Sequence, residues 1–414
     1  MARQSNGSAR QSILSDKSMQ VQNLILELNP LAEKLERRGK KIIRLHRGDP
    51  PLYFPTPKYI IDAYIRALKN GETYYSRAQG SRDLVSAVAS RYKKYGMNLG
   101  EDDIIVTAGV TEAILFINDA LVDKGDRAVL LQPYYPQYRM RLMEEEGVPL
   151  VGRMVMARDW EVDIDGLRKS LSKAGSRHRP KYMMVTNPHN PTGKVLERKA
   201  LQEIVDVAND HGLLLISDEI YDELVYNGRK FTSMGQVARG VPHVILNGSS
   251  KNFDSTGFRI GFMMIPGTDK VSELLKAKFS EYALARLSVN TPAEYAVAEA
   301  IRNTSEHNRA IRSMVKAIER RVNLVVDMLG ENPHITVTRP CGSFYIFPKL
   351  DLGRLTFKSD EEFITSMLVE EGVQLTGGHP FGEPSHFRIV ALPPEETLNL
   401  AMEKLNTFCR KHSR

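Results

Sequence analysis

Between Ile104 and Ile265 the chain sets down short apolar runs at Ile104 to Val106, Ala128 to Leu131, Tyr182 to Val185, Leu213 to Ile216, Val244 to Leu246 and Ile260 to Ile265, with helix-period sequence between them. Apolar runs without polar alternation suit strands covered on both faces, and their alternation with helices predicts an α/β architecture with a mainly parallel central sheet flanked by helices. In such sheets ligands collect at the carboxyl ends of the strands, where loops meet helix starts.

The rest of the chain carries a different pattern. Met1 to about Lys17 is polar, so residues 1–20 are expected to be a flexible N-terminus. From Val21 onward Leu24, Ile25, Leu28, Leu31, Ala32 and Leu35 approximate helical spacing, with a break expected at Asn29-Pro30. Arg47-Gly48-Asp49-Pro50-Pro51 reads as a turn-forming loop and marks the first junction. After Asn290-Thr291-Pro292 the chain reads as helical through about Leu329, with a core stripe of Ile311, Met314, Val315, Ile318, Val322, Val325 and Val326. Strands near Ile335 to Val337 and Phe344 to Phe347, a helix near Glu361 to Glu370 and a strand at Phe387 to Ala391 complete a smaller α+β domain. The expected division is a segment 21–50 packing with the small domain, a large domain 51–300 and a small C-terminal domain 301–414. A length of 414 residues suffices for both.

Composition removes several function classes. No apolar run reaches the ~18 residues of a membrane span, and the N-terminus shows no apolar signal core, so a cytoplasmic protein is expected. The two cysteines, Cys341 and Cys409, are far apart, which fits a reducing compartment and gives neither a disulfide framework nor metal-ligand spacing. The net charge of +7 is spread among 50 acidic residues, without the basic and aromatic interleaving of a nucleic-acid surface. It could attract anionic small molecules, although a solvated surface explains it equally.

Chemistry concentrates in Gly248-Ser249-Ser250-Lys251 and Gly257-Phe258-Arg259-Ile260-Gly261. A lysine amine can condense with the aldehyde of pyridoxal 5'-phosphate, and a guanidinium eight positions on can clamp that cofactor's phosphate. Asp218 follows an apolar run and could hold the ring nitrogen protonated, with an acidic helix cap as the plainer reading. Tyr221 could donate to the phenolic oxygen of the cofactor, and Asn190, in Asn187-Pro188-His189-Asn190-Pro191-Thr192-Gly193, could supply a second donor. Gly109, Val110 and Thr111 open an apolar helix after a strand, an arrangement that offers free N–H groups and a hydroxyl to phosphate. Tyr135 could lie over the pyridine ring.

In this order the residues resemble the class I/II, fold-type I aminotransferases that depend on pyridoxal phosphate, from about Ile43 to Lys411, most closely those acting on aspartate and alanine. The resemblance implies that Lys251 both forms the imine and shuttles the α-proton. It implies that Arg388 grips the substrate α-carboxylate with help from Asn190 and the Gly48 backbone, and that Tyr75 reaches the cofactor phosphate of a partner subunit, so that the active sites sit at a homodimer interface. One departure stands out: Gly248 occupies a position where many relatives carry serine, leaving Ser250, Ser249 or Thr111 to supply the hydroxyl. Arg286 could meet an acidic substrate side chain or serve as a structural arginine before a turn.

The expected activity is ping-pong transfer of the amino group of an L-amino acid, aspartate or alanine foremost, to a 2-oxo acid such as 2-oxoglutarate. A lyase or synthase of the same fold and a non-catalytic binding protein are the alternatives. No metal and no nucleic-acid partner are expected.

Overall fold

The computed structural model describes residues 24–174 and 179–414. The expected flexible start and Val21 lie outside these residues. The chain enters through a 3₁₀ turn, Leu24–Leu26, and helix α1 (Asn29–Glu36), followed by β1 (Ile43–Arg44). The break expected at Asn29-Pro30 is instead the start of α1, because proline in a first turn gives up only an N–H that has no helical acceptor.

Helices α2 (Lys58–Lys69) and α3 (Arg82–Tyr92) precede β2 (Ile104–Thr107), α4 (Val110–Leu121), β3 (Arg127–Gln132), α5 (Pro136–Glu144), β4 (Val148–Val155) and β5 (Glu161–Val162). Then come α6 (Ile164–Ala174), β6 (Pro180–Thr186), α7 (Arg198–His211), β7 (Leu214–Asp218), β8 (His243–Gly248), β9 (Gly261–Met264) and α8 (Lys270–Arg286). These strands form an eight-stranded sheet in the order β2-β9-β8-β7-β6-β3-β4-β5. The run β4-β3-β6-β7-β8 is parallel, and β9 inserts antiparallel between β8 and β2. Each apolar run seen in the sequence is therefore a strand of this sheet, and β2, β7, β8 and β9 are buried throughout. Strand β4 escapes the apolar-run pattern because it lies near the sheet edge, where Val148 and Arg153 are exposed.

The single helix expected after Asn290 is two helices, α9 (Thr291–Arg302) and α10 (Thr304–Gly330). Asn303 separates them: its side chain accepts from the Glu306 N–H and caps α10, which a residue inside a continuous helix could not do. Beyond α10 lie β10 (Ile335–Thr336), β11 (Tyr345–Ile346), β12 (Lys349–Leu350), α11 (Asp360–Glu371), β13 (Val373–Gln374), β14 (Thr376–Gly377), β15 (Phe387–Val390) and α12 (Glu395–Lys411). Strands β11, β15 and β14 form an antiparallel sheet, and β1 pairs in parallel with β13, so the chain's early segment joins its C-terminal part.

The stripe of α10 is core, as the sequence indicates: Ile311, Met314, Ile318, Val322 and Val325 are buried in one cluster with α11, α12 and the short strands. Ile318→Ala should lower the free energy of unfolding by about 3 kcal/mol, through lost transfer energy and the cavity left behind. Urea unfolding measures this, and a shift below about 1 kcal/mol would place Ile318 outside a tightly packed core.

Candidate active site

The carboxyl ends of β2, β3, β6, β7 and β8 open on one cavity of about 520 Å³, lined by residues from the segments singled out in the sequence, those of Tyr75 and Arg286 excepted. Strand β7 ends on Asp218, which is buried. Its Oδ2 accepts from the Tyr138 hydroxyl at 2.7 Å and its Oδ1 from the Ile220 N–H at 3.1 Å. Burial pushes this carboxyl up to about 6, while the two donors and the nearby Lys251 charge hold it from rising further. No helix follows Asp218; the chain turns, and this brings Tyr221 to the cavity with its hydroxyl 3.0 Å from that of Tyr345.

Strand β8 ends at Gly248, and Lys251 lies just beyond it. The Lys251 Nζ donates to the Gly48 carbonyl at 2.8 Å. Burial lowers its amine to about 8; Asp49 and Asp218 raise it, whereas Arg259 and Arg388 lower it further. The glycine at 248 has a steric cause. A Cβ there would stand 2.7 Å from the Ile260 carbonyl oxygen and 2.9 Å from Gly261 Cα, so β9 packs too close for serine. Ser250 lines the cavity, while Ser249 is buried and its hydroxyl donates to the Ile260 carbonyl at 3.4 Å. Of the two serines, only Ser250 stands where a bound group would be.

Strand β2 leads to Gly109, whose φ of 77° and lack of a side chain admit the Arg259 guanidinium beside the start of α4. Arg259 itself adopts a left-handed φ of 58°. Its Nη1 donates to the Thr256 carbonyl at 2.9 Å and its Nη2 approaches the Ala108 carbonyl at 3.4 Å. Gly261 completes the close approach, since a Cβ there would lie 2.5 Å from the Gly109 carbonyl carbon. Val110 and Thr111, at the first turn of α4, line the cavity next to this arginine. A guanidinium, helix-start N–H groups and two hydroxyl residues thus face one space, which suits a phosphate.

At the other end, Arg388 on β15 is almost fully buried. Its Nη1 donates to Asn190 Oδ1 at 2.9 Å and its Nη2 to the His46 carbonyl at 2.8 Å. The guanidinium lies 4.4 Å from the Tyr345 ring centroid and 4.9 Å from that of Phe381. Its Nε is buried without a hydrogen-bond partner among the described residues, donor capacity that fits a carboxylate ligand.

The chain matches the family model for class I and II aminotransferases over residues 40–405. It belongs to that family. Glutamate-pyruvate aminotransferase AlaA of Escherichia coli is 29% identical over 401 residues, covering 95% of this chain and 97% of the relative. Among solved structures, alanine aminotransferase from Pyrococcus furiosus superposes with a TM-score of 0.91 at 35% identity, covering 96% of this chain and 100% of that one. The aspartate aminotransferase from Thermus thermophilus with maleate gives 0.86 at 28% identity, covering 95% and 99%. The aminotransferase is thus a fold-type I enzyme dependent on pyridoxal phosphate. The residues present fit that cofactor: an amine of lowered basicity, a buried carboxylate, and a cradle at Gly109 and Gly261 that a side chain would fill.

Tyr135 lines the cavity, packed edge-on against Tyr138 with centroids 5.5 Å apart. Tyr75 is 76% exposed and does not line the cavity of its own chain. Arg286 is held within the fold: its Nη2 donates to the Val106 and Ala78 carbonyls at 2.9 and 3.3 Å, with Glu112 3.4 Å from its Nε. These contacts suit the structural reading of Arg286. Tyr138 and Tyr345 are the functional neighbours that sequence reasoning missed. For Tyr138 a signal existed, since it follows Tyr135 by three residues and so shares a helix face with it; for Tyr345, whose partners are Tyr221 and Arg388, none did.

Tyr138→Phe removes a donor to the ionised form of Asp218, so its carboxyl should titrate above 6, by about one unit. Carboxyl-carbon NMR on the cofactor-free protein reads this directly. An unchanged or lower value would mean that the hydroxyl does not support the carboxylate.

Proposed function

We propose that this aminotransferase moves the amino group of an L-amino acid of the alanine or aspartate type to a 2-oxo acid such as 2-oxoglutarate, in two half-reactions that share one cavity. The observation that carries the reading is the convergence of Lys251, Asp218, Arg259 and the Arg388–Asn190 pair on that cavity. When bound, pyridoxal phosphate supplies an aldehyde for the amino group and an electron-withdrawing ring for the electron pair released at the substrate α-carbon.

The remaining work falls to side chains of this chain. Arg259, Ser250, Thr111 and the Val110 N–H would hold the phosphate, with Gly109, whose own N–H donates to the Thr107 carbonyl at 2.8 Å, leaving room for the guanidinium. Asp218, supported as a carboxylate by Tyr138 and Ile220, would face the ring nitrogen and keep its proton in place. Tyr221 and Asn190 would donate to the phenolic oxygen, and Tyr135 would cover the ring. Arg388 takes the substrate α-carboxylate as a fork, with the Gly48 backbone beside it. Lys251, whose amine at about 8 is a usable base near neutral pH, would take the proton from the substrate α-carbon and deliver it to the carbon that the cofactor's aldehyde supplies, across the intervening nitrogen.

The names of the relatives support the substrate range, and no feature of the cavity favours the lyase or synthase alternative. We read the enzyme as a homodimer in which Tyr75 serves the partner's phosphate site. In support, Tyr74, Tyr75, Leu284 and Leu287 are large, exposed and apolar or aromatic. We also read it as cytoplasmic; among the described residues no helix is long and apolar enough to cross a membrane. We divide the chain into domains at 51–300 and 301–414; the placement of the 21–50 segment on the small domain is supported by the pairing of β1 with β13.

L-alanine, L-aspartate or L-glutamate added alone should convert the cofactor's absorbance to that of its amine form. A 2-oxo acid should reverse the change. Lys251→Ala should lower turnover by at least about 10³-fold while leaving the circular dichroism spectrum intact. Retained turnover, or ammonia release from β-substituted amino acids in place of conversion, would overturn the reading. Sedimentation should give a dimer, and a monomer that is fully active would remove the assigned place of Tyr75.

A further inference from the structure

We infer that Arg47, at the rim of the cavity, reads the distal carboxylate of the dicarboxylic partner in transamination. The inference rests on the function proposed above and concerns how one cavity accepts two side chains. A ping-pong enzyme that pairs a methyl-bearing substrate with a dicarboxylate must meet a second carboxylate in one half-reaction and none in the other. Enclosing a carboxylate without a cation is costly, and so is leaving a cation unpaired. The cavity therefore needs a cation with an alternative partner.

Among the described residues four cations line the cavity: Arg47, Lys251, Arg259 and Arg388. Three are held in place by the fold and have parts in the proposed reaction. Lys251 is held by the Gly48 carbonyl, Arg259 by the Thr256 and Ala108 carbonyls, and Arg388 by Asn190 and the His46 carbonyl. Arg47 is different. Its Nη2 lies 2.7 Å from Asp49 Oδ2, and its side chain is 63% exposed against 13% for Asp49. Asp49 does not depend on it, because its other oxygen accepts from the Thr256 hydroxyl at 2.6 Å.

Its place in the chain sets Arg47 at the open edge of the cavity. It stands between His46 and Gly48, the residues whose carbonyls hold Arg388 and Lys251. The Asp49 N–H donates to the Arg47 carbonyl at 3.1 Å, a tight turn about Gly48 that leaves the Arg47 and Asp49 side chains paired where the cavity meets solvent. Ile25 and Leu26 line the same cavity and offer apolar surface to a methyl group. With a small substrate Arg47 stays with Asp49. With a dicarboxylate the guanidinium, which has five donors, keeps one edge on Asp49 and gives the other to the incoming carboxylate. An exposed ion pair is worth only about 0.2–1 kcal/mol, so little opposes the change.

The test compares wild type with Arg47→Gln and Arg47→Lys as holoenzymes. Glutarate and butyrate, which cannot react, report binding through their inhibition constants. Arg47→Gln should weaken glutarate at least about tenfold more than butyrate, the loss of one charge-assisted contact. The ratio of kcat/KM for L-glutamate to that for L-alanine should fall by a similar factor, through KM and not kcat. Arg47→Lys should restore part of the preference, and it carries the comparison alone, with an intermediate loss, if the glutamine variant does not accumulate. Equal weakening of glutarate and butyrate would make Arg47 a structural support of the His46–Asp49 segment and overturn the inference. So would a ratio within about threefold of wild type. Failure of the aminotransferase reading itself would appear earlier, as wild type that no amino acid converts.

Discussion

Two backbone carbonyls, two residues apart, hold the reacting groups in register. The carbonyl of His46 accepts from Arg388 and that of Gly48 from Lys251, so the substrate's proposed anchor and the proposed base are measured from the same few residues. The segment is itself fixed from the C-terminal side: β1 pairs with β13, and the Val390 N–H donates to the Leu45 carbonyl at 2.9 Å. Lys251 belongs to the end of β8 in the large sheet, whereas Arg388 belongs to β15 in the small one. The cavity exists because one early stretch of chain binds to both. Gly48 makes this possible, since any side chain there would enter the space taken by Phe344 and Tyr345.

Much of this architecture could be read from sequence because central parallel strands need no context to look like strands. Buried on both faces, β2, β7 and β8 each carry an uninterrupted apolar run, and each ends one or two polar or glycine residues beyond it. What escaped was decided by capping and by edges. A hydrogen bond accepted by the Asn303 side chain from the Glu306 N–H splits α10 from α9, and Pro30, expected to interrupt a helix, begins one. Strand β4 mixes exposed and buried positions with Pro149 and Gly152, so no period stands out.

The site divides along a similar line. Lys251, Asp218, Asn190, Arg259 and Arg388 carry recognisable neighbours in sequence, and the structure brings them to one cavity. Tyr138 and Tyr345 draw their meaning chiefly from partners far away in the chain, Asp218 for Tyr138 and Tyr221 for Tyr345. Gly248 shows the same dependence in reverse. The sequence displays a missing hydroxyl, while the reason for it, the Ile260 carbonyl across the sheet, is a tertiary fact.

The charges gathered here work against the fold that gathers them. Asp218, raised from 3.8 to about 6, is stabler neutral in the folded state, so its contribution to stability falls as pH rises from 3.8 to 6 and its penalty is complete above that. Lys251, lowered from 10.5 to about 8, carries its penalty below 8 and sheds it only as pH climbs toward 10.5. Each shift corresponds to about 3 kcal/mol, and between pH 6 and 8 both apply at once. The same displacement makes the groups useful. At pH 7.5 an amine with a pKa of 8 is roughly one-quarter unprotonated, against about one in a thousand at 10.5, so a nucleophile and base is available without a separate activating group. An enclosed carboxylate and an enclosed amine of opposed tendencies define a site that gains from a ligand bringing counter-charges of its own, as the proposed placement of an anionic phosphate at Arg259 and a protonated ring nitrogen at Asp218 would. The fold tolerates the cost because its apolar mass lies elsewhere, in the sheet core and around α10.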